Sequence, residues 1–312
     1  MSDIGYNIKV NYSRSIEPFR AEAIEYPSNP DQQLQIYFKN HSGFDTNLAE
    51  YEYSLDNITW NEFTRTSSTI GEVNSITVNF YDKIYLRAKS SSDFYNQTRH
   101  NMTFYIYGTQ SYVLFKLAGN LNCLNDYEGK VDVTYTGNKA YGVAYPGGLF
   151  QDLFCFPPKN GGAIRSIKDI QLPNNFVTVN MFYNTFAGQY YLRDCFSLPR
   201  GPLVASCYQS MFDYCPSLAQ IPSVSWNTNY TNYNVGEACA NMFRGCRNIE
   251  ISPTQTETCI YKYRIGENGI NPSLGTEVTT TYGGMFDNTK NYTSEYMTPT
   301  ANTIYYTSNK VK

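Results

Sequence analysis

The sequence predicts a mainly β chain in two parts, a sandwich of short strands followed by a stack of short repeats. Three observations lead there. Composition favours strands and turns over helices: of 312 residues 30 are Tyr, aromatics reach 16%, and Asn, Thr and Ser supply most of the polarity. Short alternating segments recur between Leu34 and Tyr107, with turn residues between them. In the second half one spacing recurs: Cys, any residue, Ser or Asn, Leu or Ile, three residues, Pro. It occupies residues 195–202, 215–222 and 246–253. A spacing that returns is a structural period, and units that cannot bury their own apolar face must stack.

The elements follow in chain order. Residues 6–12 alternate and read as a lead-in strand, followed by a loop. Residues 34–38 alternate. Residues 51–55 alternate and meet residues 58–60 across an Asp56-Asn57 turn, which is a hairpin pattern. Residues 75–80, 83–88 and 101–107 alternate in the same way. Many strands at short spacing with no helical pattern between them give an immunoglobulin-like β-sandwich, with Trp60 as its expected core anchor. That part spans residues 1–110, and residues 111–147 connect it to a repeat part at 148–312. Val113-Leu-Phe115-Lys-Leu117 is the strand that leaves the sandwich.

Within the repeats, Met-Phe precedes two of the cysteines at fixed distance: Met211-Phe212 before Cys215, and Met242-Phe243 before Cys246. Met181-Phe182 to Thr185 and Met285-Phe286 to Thr289 echo this with Thr in the Cys position. In the expected unit Met-Phe ends a short helix or turn with its side chains inward, and Cys fits where the backbone turns. Leu218 to Ile221 is the strand, and Pro222 stops it. The predicted repeat core is Met211, Phe212, Cys215, Leu218, Met242, Phe243, Cys246 and Ile249. An insertion after Pro222 carries Trp226, Tyr230 and Tyr233, and a second fills residues 262–282. Insertions of a stacked array emerge on one face, so these three aromatics are the candidate contact loop.

Charge narrows the function classes. Charged residues are 16%, below the usual share of about 25%, and the net charge is −3 with no basic block. A phosphate-binding footprint for nucleic acid is therefore missing from the sequence. No apolar run reaches membrane-helix length, so membrane insertion is not expected. The start of the chain lacks a basic stretch followed by an apolar one, so no export signal is expected. Of eight cysteines none forms Cys-x-x-Cys, which argues against zinc and a redox dithiol. They read as small buried apolar residues, although Cys207 with Cys239, or Cys215 with Cys246, could pair across a stack. His41 and His100 fall in different predicted loops and in no nucleophile context. The glycine pairs lack a phosphate-loop frame. The carboxylates Asp126, Glu128, Asp152 and Asp194 near the repeats read as solvated. No catalytic, cofactor-binding or metal-binding residue is expected.

At Met211-Phe-Asp-Tyr-Cys-Pro-Ser-Leu-Ala-Gln-Ile-Pro222 the chain resembles the BspA-like branch of the leucine-rich-repeat families. The likeness covers about residues 148–297, and its two central units carry most of it. Residues 51–60, 76–78 and 82–87 resemble the β-domain that often precedes such repeats. The resemblance implies a short, irregular leucine-rich-repeat solenoid after the sandwich. It also implies adhesion or assembly in surface proteins of Bacteroides-type gut bacteria and in the phages that infect them. The missing export pattern and the few, interrupted repeats favour the phage form. The expectation is a virion structural protein on the particle surface, as a capsid decoration or head fibre rather than a tail part. Its partners would be other virion proteins, further copies of itself as a homo-oligomer, and a host-surface glycan. The alternative is a bacterial cell-surface adhesin or glycan-binding protein.

Overall fold

The computed structural model describes residues 17–25, 34–40, 51–62, 73–78, 83–88, 102–108, 114–124, 150–155, 164–172, 180–198, 205–219, 221–222, 237–264, 285–290 and 303–306. The expected strand at 6–12, both histidines, and Trp226, Tyr230 and Tyr233 lie outside them. The chain is mainly β, with an open mixed sheet and almost no helix. Its strands are β1 (Arg20–Glu25), β2 (Leu34–Asn40), β3 (Tyr51–Ser54), β4 (Asn61–Glu62), β5 (Val73–Val78), β6 (Lys83–Ala88), β7 (Met102–Gly108), β8 (Leu114–Asn120), β9 (Ile164–Gln171), β10 (Ile251–Ser252), β11 (Tyr261–Arg264) and β12 (Thr303–Tyr306). Among the described residues the only helical element is a 3-10 turn at Leu121–Leu124.

The largest sheet has six strands in the order β4-β3-β6-β1-β8-β9. Its pairs are antiparallel except the last, β8 with β9, which is parallel. The strands β5-β2-β7 form a second, antiparallel sheet, and β10-β12-β11 a third. Strand β1 falls where the sequence suggests a loop. Its Arg-Ala-Glu-Ala-Ile-Glu run has weak strand propensity. Position decides instead: β1 lies between β6 and β8, burying Ala21 while Arg20 and Glu22 pair on the other face. The β3–β4 hairpin also differs from expectation. Its second strand is Asn61–Glu62 rather than residues 58–60, because residues 55–60 are taken up by a wide turn. The Asp56 carboxylate closes that turn, accepting N–H bonds from Ile58 (2.8 Å) and Thr59 (2.7 Å) and the Ser54 hydroxyl (2.9 Å). Trp60 is half-buried under the Arg87 guanidinium, 3.7 Å from the ring centroid, so it is not a core anchor.

After β8 the backbone builds five stacked rungs, at residues 150–155, 180–189, 205–215, 237–246 and 285–289. Each rung is a ribbon of consecutive turns, neither helix nor strand. Its N–H groups alternate between two acceptors. One set closes a turn within the rung: Thr185 N to Phe182 O (3.2 Å), Cys215 N to Phe212 O (3.2 Å), Cys246 N to Phe243 O (3.1 Å). The other set donates to the next rung: Phe182 N to Cys207 O (2.8 Å), Phe186 N to Met211 O (2.9 Å), Phe212 N to Met242 O (3.0 Å), Phe243 N to Met285 O (2.8 Å). Both backbone valences of the turn are thereby satisfied without water.

This ribbon needs a left-handed residue at every fourth position. Those residues are Asp152, then Asn180, Asn184 and Gly188, then Ser206, Ser210 and Tyr214, then Glu237, Asn241 and Gly245, then Asn288. The conformation costs an ordinary L-residue about 1–2 kcal/mol. Asn, Asp and Gly adopt it most readily, and they fill most of these positions. On the other side the rungs continue as extended bridges, Ser166 with Asp194 and Glu250 with Lys290, both parallel. No strand forms at Leu218, Ala219 or Ile221, where the Leu-x-x-Ile pattern suggests one. One buried cluster runs from Phe19 and Ala21 of the large sheet to Met285 and Phe286 of the last rung.

Candidate functional site

The rung register explains the sequence motif and revises its alignment. Phe154, Phe186, Phe212, Phe243 and Phe286 stack as one column, with centroids 5.4, 5.9, 5.8 and 5.5 Å apart and planes within 18°. Phe150, Phe182 and Tyr208 form a second column at 5.4 and 5.6 Å. Each stacked pair contributes about 0.5–1.5 kcal/mol beyond its buried area. Phe19 meets the start of the longer column, 6.1 Å from Phe154. Met181-Phe182 thus aligns with Cys207-Tyr208, one four-residue turn earlier than the Met-Phe spacing predicts. The partner of Met211-Phe212 is Thr185-Phe186, and Gln189 stands in the Cys position.

That position has a definable job. Three residues after four of the stacked rings, Phe182, Phe186, Phe212 and Phe243, a side chain donates to the carbonyl of the ring residue on the preceding rung. Cys215 Sγ reaches Phe186 O at 3.1 Å, and Cys246 Sγ reaches Phe212 O at 3.2 Å. Gln189 Nε2 reaches Phe154 O at 2.6 Å, and Thr185 Oγ1 reaches Phe150 O at 2.7 Å in the shorter column. Thr289 Oγ1 bonds Phe286 O of its own rung instead, at 2.8 Å. The slot selects a small or slender group with a donor, so Cys, Thr and Gln interchange. Cys195 is not in this slot. It falls six residues beyond Gln189, half-buried, and its motif spacing is a coincidence of sequence. None of the eight cysteines forms a disulfide. Burial pushes the Cys215, Cys239 and Cys246 thiols well above the ordinary range, which holds them neutral.

All eight predicted core residues, Met211, Phe212, Cys215, Leu218, Met242, Phe243, Cys246 and Ile249, are fully buried. Asp213, also buried, receives a two-pronged ion pair from Arg244 on the next rung, with Nε to Oδ1 at 2.8 Å and Nη2 on Oδ2. Asp287 on the last rung lies close enough to Arg244 to act on its charge. The sequence-level carboxylates are structural too. Asp194 Oδ1 accepts from Ser166 Oγ (2.6 Å), Ile167 N (3.1 Å) and Lys168 N (3.3 Å). Asp152 accepts from Asn184 Nδ2 at 3.0 Å. Asp126 and Glu128 lie outside the described residues.

One corner of the stack turns outward. Gly188, Tyr214, Gly245 and Asn288 occupy the same position on successive rungs, each of the first three donating to the neighbouring rung at 2.7 Å. Tyr214 is 46% exposed, and Tyr190 and Tyr191, just after Gly188, are also exposed. The sequence reading missed this corner. Its only signal is a Tyr in a position that other rungs fill with Gly or Asn.

Among the described residues no group of His, Cys, Asp and Glu could hold a metal ion, and no helix is long and apolar enough to cross a membrane. No protein-family model matches the chain, and no curated protein or solved structure is significantly similar to it.

Proposed function

We propose that this chain is a structural protein of a phage particle, exposed on its surface as a capsid decoration or head fibre and without catalytic activity. One observation carries the reading. The groups that would do chemistry elsewhere are spent on holding rung to rung: the Cys215 and Cys246 thiols, Gln189, Asp213 and Arg244, and Asp194. Such a construction makes a stiff, closely bonded surface. On this reading the six-stranded sheet, which β8 and β9 complete, and the β5-β2-β7 sheet pack as an immunoglobulin-like sandwich, and the rungs form a short solenoid of leucine-rich-repeat kind. One part docks on the particle, in copies fixed by its symmetry, and the other faces outward.

The second reading is a bacterial cell-surface adhesin, which the exposed tyrosine corner also favours. Peptide mass spectrometry of gradient-purified particles separates the two. Recovery of peptides from this chain at a copy number comparable to other capsid proteins supports the first. Their absence from particles, with recovery from the bacterial envelope, overturns it.

A further inference from the structure

The left-handed positions of the rungs have a clear preference, and Tyr214 breaks it. It is the one aromatic residue in that conformation among the described residues, at φ 54°. A bulky residue there is an outlier that the fold does not ask for. The same position is Gly188 one rung before and Gly245 one rung after. Packing accounts for only part of the ring, since Tyr214 is 46% exposed.

The ring is nevertheless held in place. A Cβ on Gly245 would lie 3.0 Å from Tyr214 Cδ1 and 3.4 Å from Cε1, so the ring lies over bare backbone. The Arg244 guanidinium is 5.3 Å from the ring centroid, and its ion pair with Asp213 fixes it. Two of its five N–H groups serve that pair. The others belong to a side chain that is one-third exposed. Tyr190 and Tyr191, which follow the preceding rung in the chain, are exposed as well.

We infer that this corner is a carbohydrate-binding site, taking a neutral hexose unit of a cell-surface glycan with its C–H face on the Tyr214 ring and its hydroxyls on Arg244. Two quantities favour a sugar over other occupants. The exposed part of the Tyr214 side chain offers on the order of 100 Å², well short of the roughly 800 Å² per partner of a stable protein interface. Arg244 is balanced by Asp213 and lies near Asp287, so its own charge is already matched and does not select a phosphate or an acidic peptide. The inference rests on the outward-facing surface proposed above and names its partner chemistry. It places a contact at Tyr214, apart from the Trp226 loop, which lies outside the described residues.

The test uses the full chain on an array of immobilised neutral and acidic oligosaccharides, with hits measured again by titration of the free oligosaccharide. The wild type is expected to bind at least one neutral hexose-containing oligosaccharide. Tyr214→Gly should weaken that binding about tenfold or more, while its melting temperature stays level or rises because two other rungs already use Gly. Tyr214→Phe should keep most of the binding. No binding to any neutral oligosaccharide, or equal binding by wild type and Tyr214→Gly, overturns the site. Either failure leaves the particle mass spectrometry unaffected, so the two proposals fail separately.

Discussion

Replacing Tyr208 with Phe is predicted to stabilise the protein. Tyr208 is fully buried, and its ring stacks on Phe182 at 5.6 Å with planes 9° apart. Its hydroxyl has no hydrogen-bond partner. A buried hydroxyl without a partner costs about 1–3 kcal/mol. Tyr208→Phe keeps the ring and removes only the oxygen. The void left is on the order of 10 Å³, which at about 24 cal/mol per Å³ costs about 0.2 kcal/mol. The net gain is about 0.8–2.8 kcal/mol, or a rise in Tm of roughly 1–4 °C for a chain of this size. Urea denaturation read by circular dichroism is the assay: the midpoint should rise at unchanged m value. A midpoint lowered by the equivalent of about 1 kcal/mol or more would refute the reasoning. It would mean that the hydroxyl is bonded and that the column needs a tyrosine at this rung.

Four further outcomes follow from other contacts. Gly119→Ala should cost about 2–5 kcal/mol, from left-handed strain and a forced backbone shift, because its Cβ would sit 2.0 Å from the Pro18 carbonyl oxygen at φ +83°; chemical denaturation measures it. Arg244→Ala should cost about 2–3 kcal/mol by leaving buried Asp213 unpaired, discounted because the arginine is part-exposed. The double variant with Asp213→Ala should recover part of that loss in the same melts, since buried Ala187 already fills the equivalent position one rung earlier. Native Cys215, Cys239 and Cys246 should resist alkylation at mildly alkaline pH and react on unfolding; fast native labelling of them, read by mass spectrometry, would contradict their burial. The Asp56 carboxyl is held well below the usual carboxylate range, first by the Thr59 and Ile58 N–H groups and then by the Ser54 hydroxyl. Its folded value lies below its unfolded one, so its contribution is present above the unfolded value of about 3.9 and is lost as pH falls through the folded value. An NMR titration of Asp56 with an ordinary midpoint would count against that turn.

β2, β3, β5, β6, β7 and β8 are legible from their runs of aromatic and β-branched residues, and in β6 the burial alternates to match, with Ile84, Leu86 and Ala88 inward. β1 is not, since its Ala and Glu residues carry no such signature and its place between β6 and β8 is set by partners far away in sequence. The stacked half is legible as a repeat but not in its register. Met-Phe recurs at the wrong offset at Met181, because the true period along a rung is four residues and any turn can hold a Met-Phe pair. The slot filled by Cys215 and Cys246 also accepts Gln189, which no motif search on cysteine finds. What identifies it is a hydrogen bond to a neighbouring rung, invisible until the rungs are aligned. The tyrosine corner was legible only as a misfit, a large side chain in a glycine position.

The proposed place of this chain on the outside of a particle is tested most directly by electron microscopy of intact purified particles labelled with gold-coupled antibody to the full chain. The account predicts gold on the surface of every particle at repeating positions. Label confined to bacterial envelopes, with bare particles beside them, would contradict it.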